Sequence, residues 1–323
     1  MEATIPEGGP KRILVSYRGI PQSPGWATGD MVTRAFRAMG HMAFPYGNYY
    51  QTSRWIEPVD GAFDREWDLL LFMECGDGDR TYTELRSVRA LKRASWFFDA
   101  ALHPEKWLDI VRLFDFDANF VANRGMADQA PRCQHLPYAA DRVLHYRPPS
   151  HPKQRFLALA GSDRPERRAV AEVLSFTGVQ LQTGLFREAF IDHLASSFFT
   201  ISDIAGGGAG LVPMRPFEAL AAGSALITPA DDGVRSLGLP CIEYRTREHL
   251  AFICRRLLEC QDRPDPAGQD LVMKCHSYEC RCEAILRQVF PDQTDQLNQQ
   301  TNRLQQSARV GAGPSSPPGA NFR

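Results

Sequence analysis

Apolar and polar positions follow two alternating patterns along this chain. Short continuous apolar runs, "RILVSY", "WDLLLFM", "SWFFDA" and "ANFVAN", read as strands, and "WDLLLFM" has the composition of one buried on both faces of a parallel sheet. Between them "DMVTRAFRAMGH", "TYTELRSVRALKRA" and "PEKWLDIVRLF" carry apolar residues at helical spacing. This alternation predicts a doubly wound α/β domain over residues 11–148.

"YRPPSHPKQ", residues 146–154, interrupts the rhythm with three prolines and reads as a linker. The alternation then restarts. "RFLALAG", "VQLQTG", "FFTISD" and "ALITPA" read as strands, and "RPERRAVAEVLSFTG", "FREAFIDHLASS", "RPFEALAAG" and "REHLAFICRRLLECQ" as helices. A second Rossmann-like domain is therefore predicted over residues 153–291, with its last helix free to pack back on the first domain. From residue 292 to 323 glutamine, serine, glycine and proline dominate, and a disordered tail is expected because too little apolar surface remains to offset ordering entropy.

Composition narrows the function classes. The 323 residues exceed one typical core, and 43% hydrophobic with 23% charged residues describes a soluble globular chain. A formal net charge of −1 offers no bulk field for nucleic acid or an anionic membrane, so any anion site must be local. No segment reaches the about 18 to 20 uninterrupted apolar residues of a membrane span. The start "MEATIPEGGPKR" is polar rather than a secretion signal, and eight scattered cysteines read as reduced thiols, so a cytoplasmic location is expected. Cys275, Cys280 and Cys282 beside His276 fit no zinc spacing, and no metal or other cofactor is expected.

Local anion chemistry is suggested at three places. "GGGAG", Gly206 to Gly210, follows a strand; it lets backbone approach a ligand closely, or it is a plain flexible loop. In "LALAGSDRPERRAV" a strand ends at Gly161 and Ser162, and Arg164, Arg167 and Arg168 crowd a helix start. Cations are unfavourable there unless an anion is bound, or unless Glu166 or Glu172 pairs with them on a solvated face. In "GLVPMRPFEALAAGSALIT" Pro216 marks a helix start, with Arg215 as the expected cap and Glu218 in the first turn. Glu218 either favours the helix dipole or accepts two ribose hydroxyl protons while Arg215 meets phosphate. The first-half loop "RGIPQSPGWATG" lacks the dinucleotide fingerprint spacing; it is either a flexible rim loop or a substrate contact.

These pieces resemble a GT-B glycosyltransferase, two Rossmann-like domains facing across a cleft. More narrowly, "LALAGSDRPERR", "MRPFEALAAGSALIT" and "HSYECRCEAIL", with "SWFFDAALHPE" and "FDFDANFVAN" more weakly, resemble the spore-maturation CgeB-type relatives of glycosyltransferase family 4 over roughly residues 11–290. The resemblance implies a nucleotide-sugar donor and metal-independent, retaining transfer to an unidentified hydroxyl acceptor. It implies that Glu218 holds the donor ribose, with Arg215, Arg167 and the loop containing Gly208 and Gly210 around the diphosphate. Gly161, Ser162, Arg164, Pro216 and Phe217 complete the expected donor site. Family 4 enzymes commonly carry a second glutamate where this chain has Gly210, which removes a usual contact to the donor sugar.

The acceptor is expected to enter from the first domain, where Glu74, Asp99 and His103 follow predicted strands. Asp99 or His103 would orient or deprotonate it, or else serve as a helix cap and a surface loop residue. Two other readings stand beside the transferase: a catalytically silent nucleotide-sugar-binding or assembly protein, favoured by Gly210, and a nucleotide-sugar 2-epimerase.

Overall fold

A computed structural model of the chain describes residues 9–49, 56, 61–73, 80–98, 100–203, 210–260 and 267–291. The expected tail, residues 292–323, lies outside them. The first half contains β1 (Arg12–Ser16), α1 (Thr28–Ala38), β2 (Met42–Tyr46), β3 (Glu66–Met73), β4 (Arg89–Phe97), α2 (Pro104–Phe114), β5 (Ala118–Val121) and β6 (Cys133–His135). Its strands form one parallel sheet in the order β2-β1-β3-β4-β5-β6.

The apolar run of β3 explains why this sheet is covered on both faces. Leu69 and Leu71 enter one core with Ile13, Val15, Trp96 and Phe120, while Leu70 and Phe72 enter another with Leu14, Phe97 and Val121. Successive side chains of a strand point to opposite faces, so an uninterrupted apolar run needs a hydrophobic layer on each.

One element departs from the helical pattern. Of the predicted helix "TYTELRSVRALKRA", Arg80–Ser87 is 3₁₀-helical and Arg89 already begins β4. The alanine, leucine, lysine and arginine residues favour a helix in isolation. Here Arg89 to Trp96 pair along β3 from Glu66 to Met73, and Asp117 accepts hydrogen bonds from the Arg93 amide and Lys92 Nζ, each at 2.9 Å. Tertiary pairing overrides local propensity. The apolar pattern also passed over β2, whose Pro45 is tolerated because the strand is at the sheet edge.

The second half contains β7 (Arg155–Ala160), α3 (Pro165–Val173), β8 (Leu181–Gln182), α4 (Arg187–Ala195), β9 (Ser197–Ile201), α5 (Arg215–Ala221), β10 (Ala225–Pro229), α6 (Asp232–Ser236), β11 (Cys241–Tyr244), α7 (Arg247–Cys260), α8 (Ala267–Cys275) and α9 (Tyr278–Val289). Its parallel sheet runs β11-β10-β9-β7-β8. The proline-rich connection is strapped to this half. Lys153 Nζ donates to the carbonyls of Ala195, Ser197 and Gly223 at 2.8, 3.1 and 2.6 Å, and Gln269 Nε2 donates to the Arg147 carbonyl at 2.6 Å.

Helix α9 returns to the first half. Tyr278, Cys282, Ile285 and Val289 pack into the core with Ile13, Met31, Phe36 and Trp96. A short parallel bridge leads into it: the Ala140 amide donates to the His276 carbonyl at 2.9 Å, and the Tyr278 amide to the Ala140 carbonyl at 3.0 Å. Arg281, 7% exposed, donates to the carbonyls of Pro137, Tyr138 and Cys275 at 2.9, 3.1 and 3.3 Å. With His276 Nδ1 3.0 Å from its Nη2, four neutral acceptors thus hold a buried cation, whose pKa is lowered to about 10 by burial.

Two predictions follow from this packing. Replacing Arg281 by Met should cost about 3 kcal/mol, because the buried Pro137 carbonyl and the partly buried acceptors beside it lose their donor; a urea-unfolding free energy within about 0.5 kcal/mol of wild type, the scatter of an ordinary surface change, would refute the clamp. Stability should also fall between pH 7.5 and 5.5. Burial lowers the pKa of His41, His135 and His145, and pushes His193 and His276 down to about 4. Between there and the ordinary value of about 6.5 the unfolded chain binds protons that the folded chain does not. Asp30, raised by burial, opposes this trend as a single group. A urea midpoint that is flat or rises on acidification would contradict the assignment.

Candidate functional site

In the second sheet the chain leaves β7 for β8 on one side and returns to β9 on the other, so the order reverses between β7 and β9. Open parallel sheets collect ligands beyond the carboxyl ends of strands at such a reversal. Gly161 follows β7 there, and Asp203 follows β9 two residues after its end.

Arg167 spans the reversal. From the first turns of α3 its guanidinium pairs with Asp203 at 2.7 Å, and its Nη1 donates to the Ser162 carbonyl and hydroxyl at 3.0 and 2.9 Å. Gly161 leaves room for it. The glycine has φ +144°, and a Cβ placed there would lie 2.3 Å from Arg167 Nη1. This glycine is required both by its backbone conformation and by the guanidinium beside it.

Arg215 approaches from α5. Its Nη1 donates to the Ala160 carbonyl, the last of β7, at 2.6 Å, its Nε donates to Glu218 at 3.1 Å, and its guanidinium covers the Phe190 ring at 4.4 Å. The helix is capped by Met214, with Arg215 as its first residue and Pro216 next, which corrects the expectation that Arg215 is the cap. Glu218 therefore makes neither a capping box nor an unpaired dipole contact; it holds Arg215 one turn away. Both pairs are partly buried, with side chains 12–17% exposed. Each arginine keeps its Nη2 amino group without a hydrogen bond among the described residues.

The other predicted site residues are placed as follows. Arg164 caps α3 and is exposed, and Arg168 pairs outward with Asp163 rather than with Glu166 or Glu172. Phe217 is fully buried among Val212, Leu220 and Leu226, and Pro216 is buried with it in the helix, so both support α5 rather than present a surface. Gly210 adopts φ +88° with the Arg124 Cβ 3.3 Å from its own would-be Cβ, and its carbonyl accepts the Arg124 amide at 3.3 Å. That contact, with the Asn123–Leu211 bridge, joins the two halves beside the strand ends. His103 is exposed at the start of α2, beyond the carboxyl end of β4. Gly208, Asp99 and Glu74 lie outside the described residues.

Several residues at this seam carried no sequence signal of their own. Asp203 was legible only as a carboxylate at a strand end. Trp26, from the first-half loop, packs against Ala158, Leu194 and Ala222 of the second half. Gly29, in the first turn of α1 at the end of this stretch, is dictated by Tyr17, whose ring would be 1.9 Å from a Cβ, while a Cβ at Gly25 within the loop would meet no neighbour and Ile20 is exposed. His145 is fully buried 6.2 Å from Trp26; its Nδ1 accepts the Asp141 amide at 3.1 Å, and its Nε2 lacks a partner among the described residues. Burial lowers its pKa against the opposing field of Glu218. Tyr278, also fully buried, lies within reach of the same carboxylate's field. Among the described residues no three histidine, cysteine or carboxylate side chains gather as a metal set, and no helix is long and apolar enough to cross a membrane.

No protein-family model and no curated protein matches the chain by sequence. Solved structures do match it in shape. A glycosyltransferase of avilamycin A biosynthesis, AviGT4, superposes with a TM-score of 0.57 at 13% identity, covering 86% of this chain and 96% of its own. A glycosyltransferase from Rickettsia africae gives 0.54 at 12% identity, covering 86% and 97%, and a sucrose-phosphate synthase from Thermosynechococcus elongatus gives 0.53 at 12%, covering 92% and 100%. The chain has their fold, two parallel α/β sheets in the GT-B arrangement.

The packing of Gly161 against Arg167 predicts a coupling. Gly161→Ala should displace the guanidinium from Asp203, so that Asp203→Asn costs about 1 kcal/mol less in the Gly161→Ala background than in wild type. Additive losses in a double-mutant cycle of unfolding free energies would mean that Arg167 yields without leaving its partner.

Proposed function

We propose that this chain is a glycosyltransferase that binds a nucleotide-diphosphate sugar at the carboxyl ends of β7 and β9 and transfers the sugar to a hydroxyl-bearing acceptor. One observation carries the reading. Two guanidiniums from different helices meet at the reversal of the sheet, each oriented by a carboxylate and a main-chain carbonyl, each with an amino group still unassigned. The shared fold with known glycosyltransferases supports the same reading.

In this proposal the diphosphate takes the open Nη2 groups of Arg167 and Arg215, and the ribose hydroxyls donate to Glu218. Gly161, Ser162 and the 206–210 loop, including Gly208, admit the phosphates, and Arg164 adds charge at the rim. Because α5 is only seven residues long, its dipole is a minor contributor and the guanidiniums carry the attraction. The costly event is cleavage of the anomeric C–O bond as negative charge grows on the departing diphosphate. Cations already fixed at that position stabilise the charge without reorganising. The acceptor hydroxyl, oriented or deprotonated by Asp99 or His103 of the first half, bonds to the anomeric carbon on the face from which the nucleoside diphosphate departs, and its proton passes to that base or to the departing phosphate. Following the family 4 resemblance, transfer is metal-independent and retains configuration, and the protein works in the cytoplasm.

A specific observation favours a second reading, a silent nucleotide-sugar-binding protein. Gly210, where family 4 enzymes commonly carry a glutamate, has a left-handed backbone and a crowded Cβ direction, so the position is built for glycine. A contact to the donor sugar has been given up there, not merely exchanged for a similar side chain. Turnover separates the two: release of nucleoside diphosphate from a donor panel marks the transferase.

Ligand-induced stabilisation tests the site itself. A nucleoside diphosphate at about 100 times its Kd should stabilise the wild type by about 2.7 kcal/mol, seen as a rise of several degrees in Tm. Glu218→Ala, which leaves the partly buried Arg215 without its carboxylate, should melt below wild type without ligand and, measured from its own unliganded Tm, lose most of that rise. Equal shifts in the two proteins would remove Glu218 from the ribose.

A further inference from the structure

We infer that the first half carries a separate oxyanion site at the amino-terminal end of its sheet, built to take a phosphate-class ligand bearing at least two negative charges. A cavity of about 670 Å³ opens where Arg12 begins β1, Glu66 begins β3 and Arg89 begins β4, with Arg86 and Arg93 completing its basic wall. This is the opposite edge from the one where β7, β9 and α2 offer their residues. The nine residues of β4 separate the two edges by about 30 Å.

Arginines without a carboxylate partner occur elsewhere among the described residues, Arg155, Arg164 and Arg255 among them, but four such arginines line this one cavity. Eleven arginines elsewhere in the described residues pair with a carboxylate: Arg34, Arg167 and Arg215 across packed seams, and others such as Arg168 and Arg235 in the open. The four around the cavity do not. Arg93 donates to the carbonyls of Arg86 and Val88 at 3.1 and 2.9 Å, and Arg89 donates to the Asp64 carbonyl. Carbonyl acceptors orient a guanidinium and leave its charge uncompensated. Two carboxylates share the wall, but Asp68 already accepts the Arg12 amide at 2.7 Å, and Glu66 reaches ion-pair distance of none of the four. The wall therefore carries an excess of two positive charges in a protein whose formal net charge is −1.

The chemistry of the ligand follows from the wall. Guanidinium forks fit phosphate oxygens two at a time and are preferred over ammonium groups for that reason. A cavity of this size falls within the range of small-molecule sites, about 300 to 1,000 Å³, and has no room to track a nucleic-acid strand. The phosphate can belong to a free phosphorylated small molecule or to a lipid headgroup. This site does not depend on the function proposed for the β7–β9 edge.

Titration calorimetry of the full chain at low ionic strength, with inorganic pyrophosphate as the probe, tests the site in four proteins. Arg12→Gln combined with Arg86→Gln should weaken binding at least about tenfold, since each lost charged hydrogen bond is worth about that much. Both side chains are exposed and bond no carboxylate, so the fold should survive. Arg12→Lys with Arg86→Lys, which keeps charge and removes the forks, should fall between. Arg167→Gln should leave this binding event in place. Co-sedimentation with phosphatidylcholine vesicles with and without phosphatidylglycerol identifies the source: loss of sedimentation in the double glutamine variant assigns a lipid headgroup, and sedimentation in no protein assigns a free ligand. An unchanged Kd in the double glutamine variant, or loss of pyrophosphate binding through Arg167→Gln alone, would overturn the proposal.

Discussion

Two sheets built one after the other have no inherent reason to sit in a fixed relation, and here the chain imposes one by returning. Helix α9 completes the core under β1 and β4 with Tyr278 and Ile285, and Arg281 fastens its start to carbonyls of Pro137 and Tyr138 just past β6. Because the first core lacks a wall until the last helix arrives, the halves cannot separate without exposing it. Every contact across the seam rests on that closure. Trp26 can enter the second half, and Asn123 can bridge to Leu211, only because the sheets are already held with their carboxyl edges inward.

Holding the halves together also places charge. Arg167 and Arg215 are long cations partly withdrawn from water, and a withdrawn charge needs a partner. Each has found a carboxylate, Asp203 or Glu218, and each carboxylate leaves part of the guanidinium uncommitted. A guanidinium paired in this way is held in one orientation with part of its donor set uncommitted, which is the property the proposed function uses. The buried imidazole of His145, near Trp26 and bonded through Nδ1 to the Asp141 amide, adds a ring nitrogen that the described residues leave unsatisfied.

The fold was legible in the sequence wherever a strand is buried on both faces. "WDLLLFM" and "RFLALAG" can be nothing but central strands, and their spacing against helical segments carried the two-sheet reading. Legibility failed where the partner decides. "RALKRA" has helix-forming residues and became β4 because β3 and β5 pair with that strand on both sides and Asp117 fixes its Lys92 and Arg93, a tertiary setting that propensity does not contain. β2 and β11 are edge strands of five and four residues, too short to show a period, and Pro45 within β2 reads against a strand. At the candidate site, Arg167 and Arg215 were visible because cations at a helix start are anomalous, and Glu218 because it shares that entrance with Arg215. Asp203 was not, because its meaning depends on which strand ends beside it, and sequence order does not contain sheet order.

Glycines show the same limit from another side. The clusters in "RGIPQSPGWATG" and after Gly161 look alike as strings, yet they answer different neighbours. Gly29 exists because an aromatic ring occupies the space of its Cβ, and Gly161 because a guanidinium does. A glycine beside an aromatic ring is a packing device whose replacement harms the fold. A glycine beside an arginine that two other groups hold in place is a positioning device, since its replacement moves a charge. Only the identity of the neighbour, supplied by the fold, separates a structural glycine from one that belongs to a site.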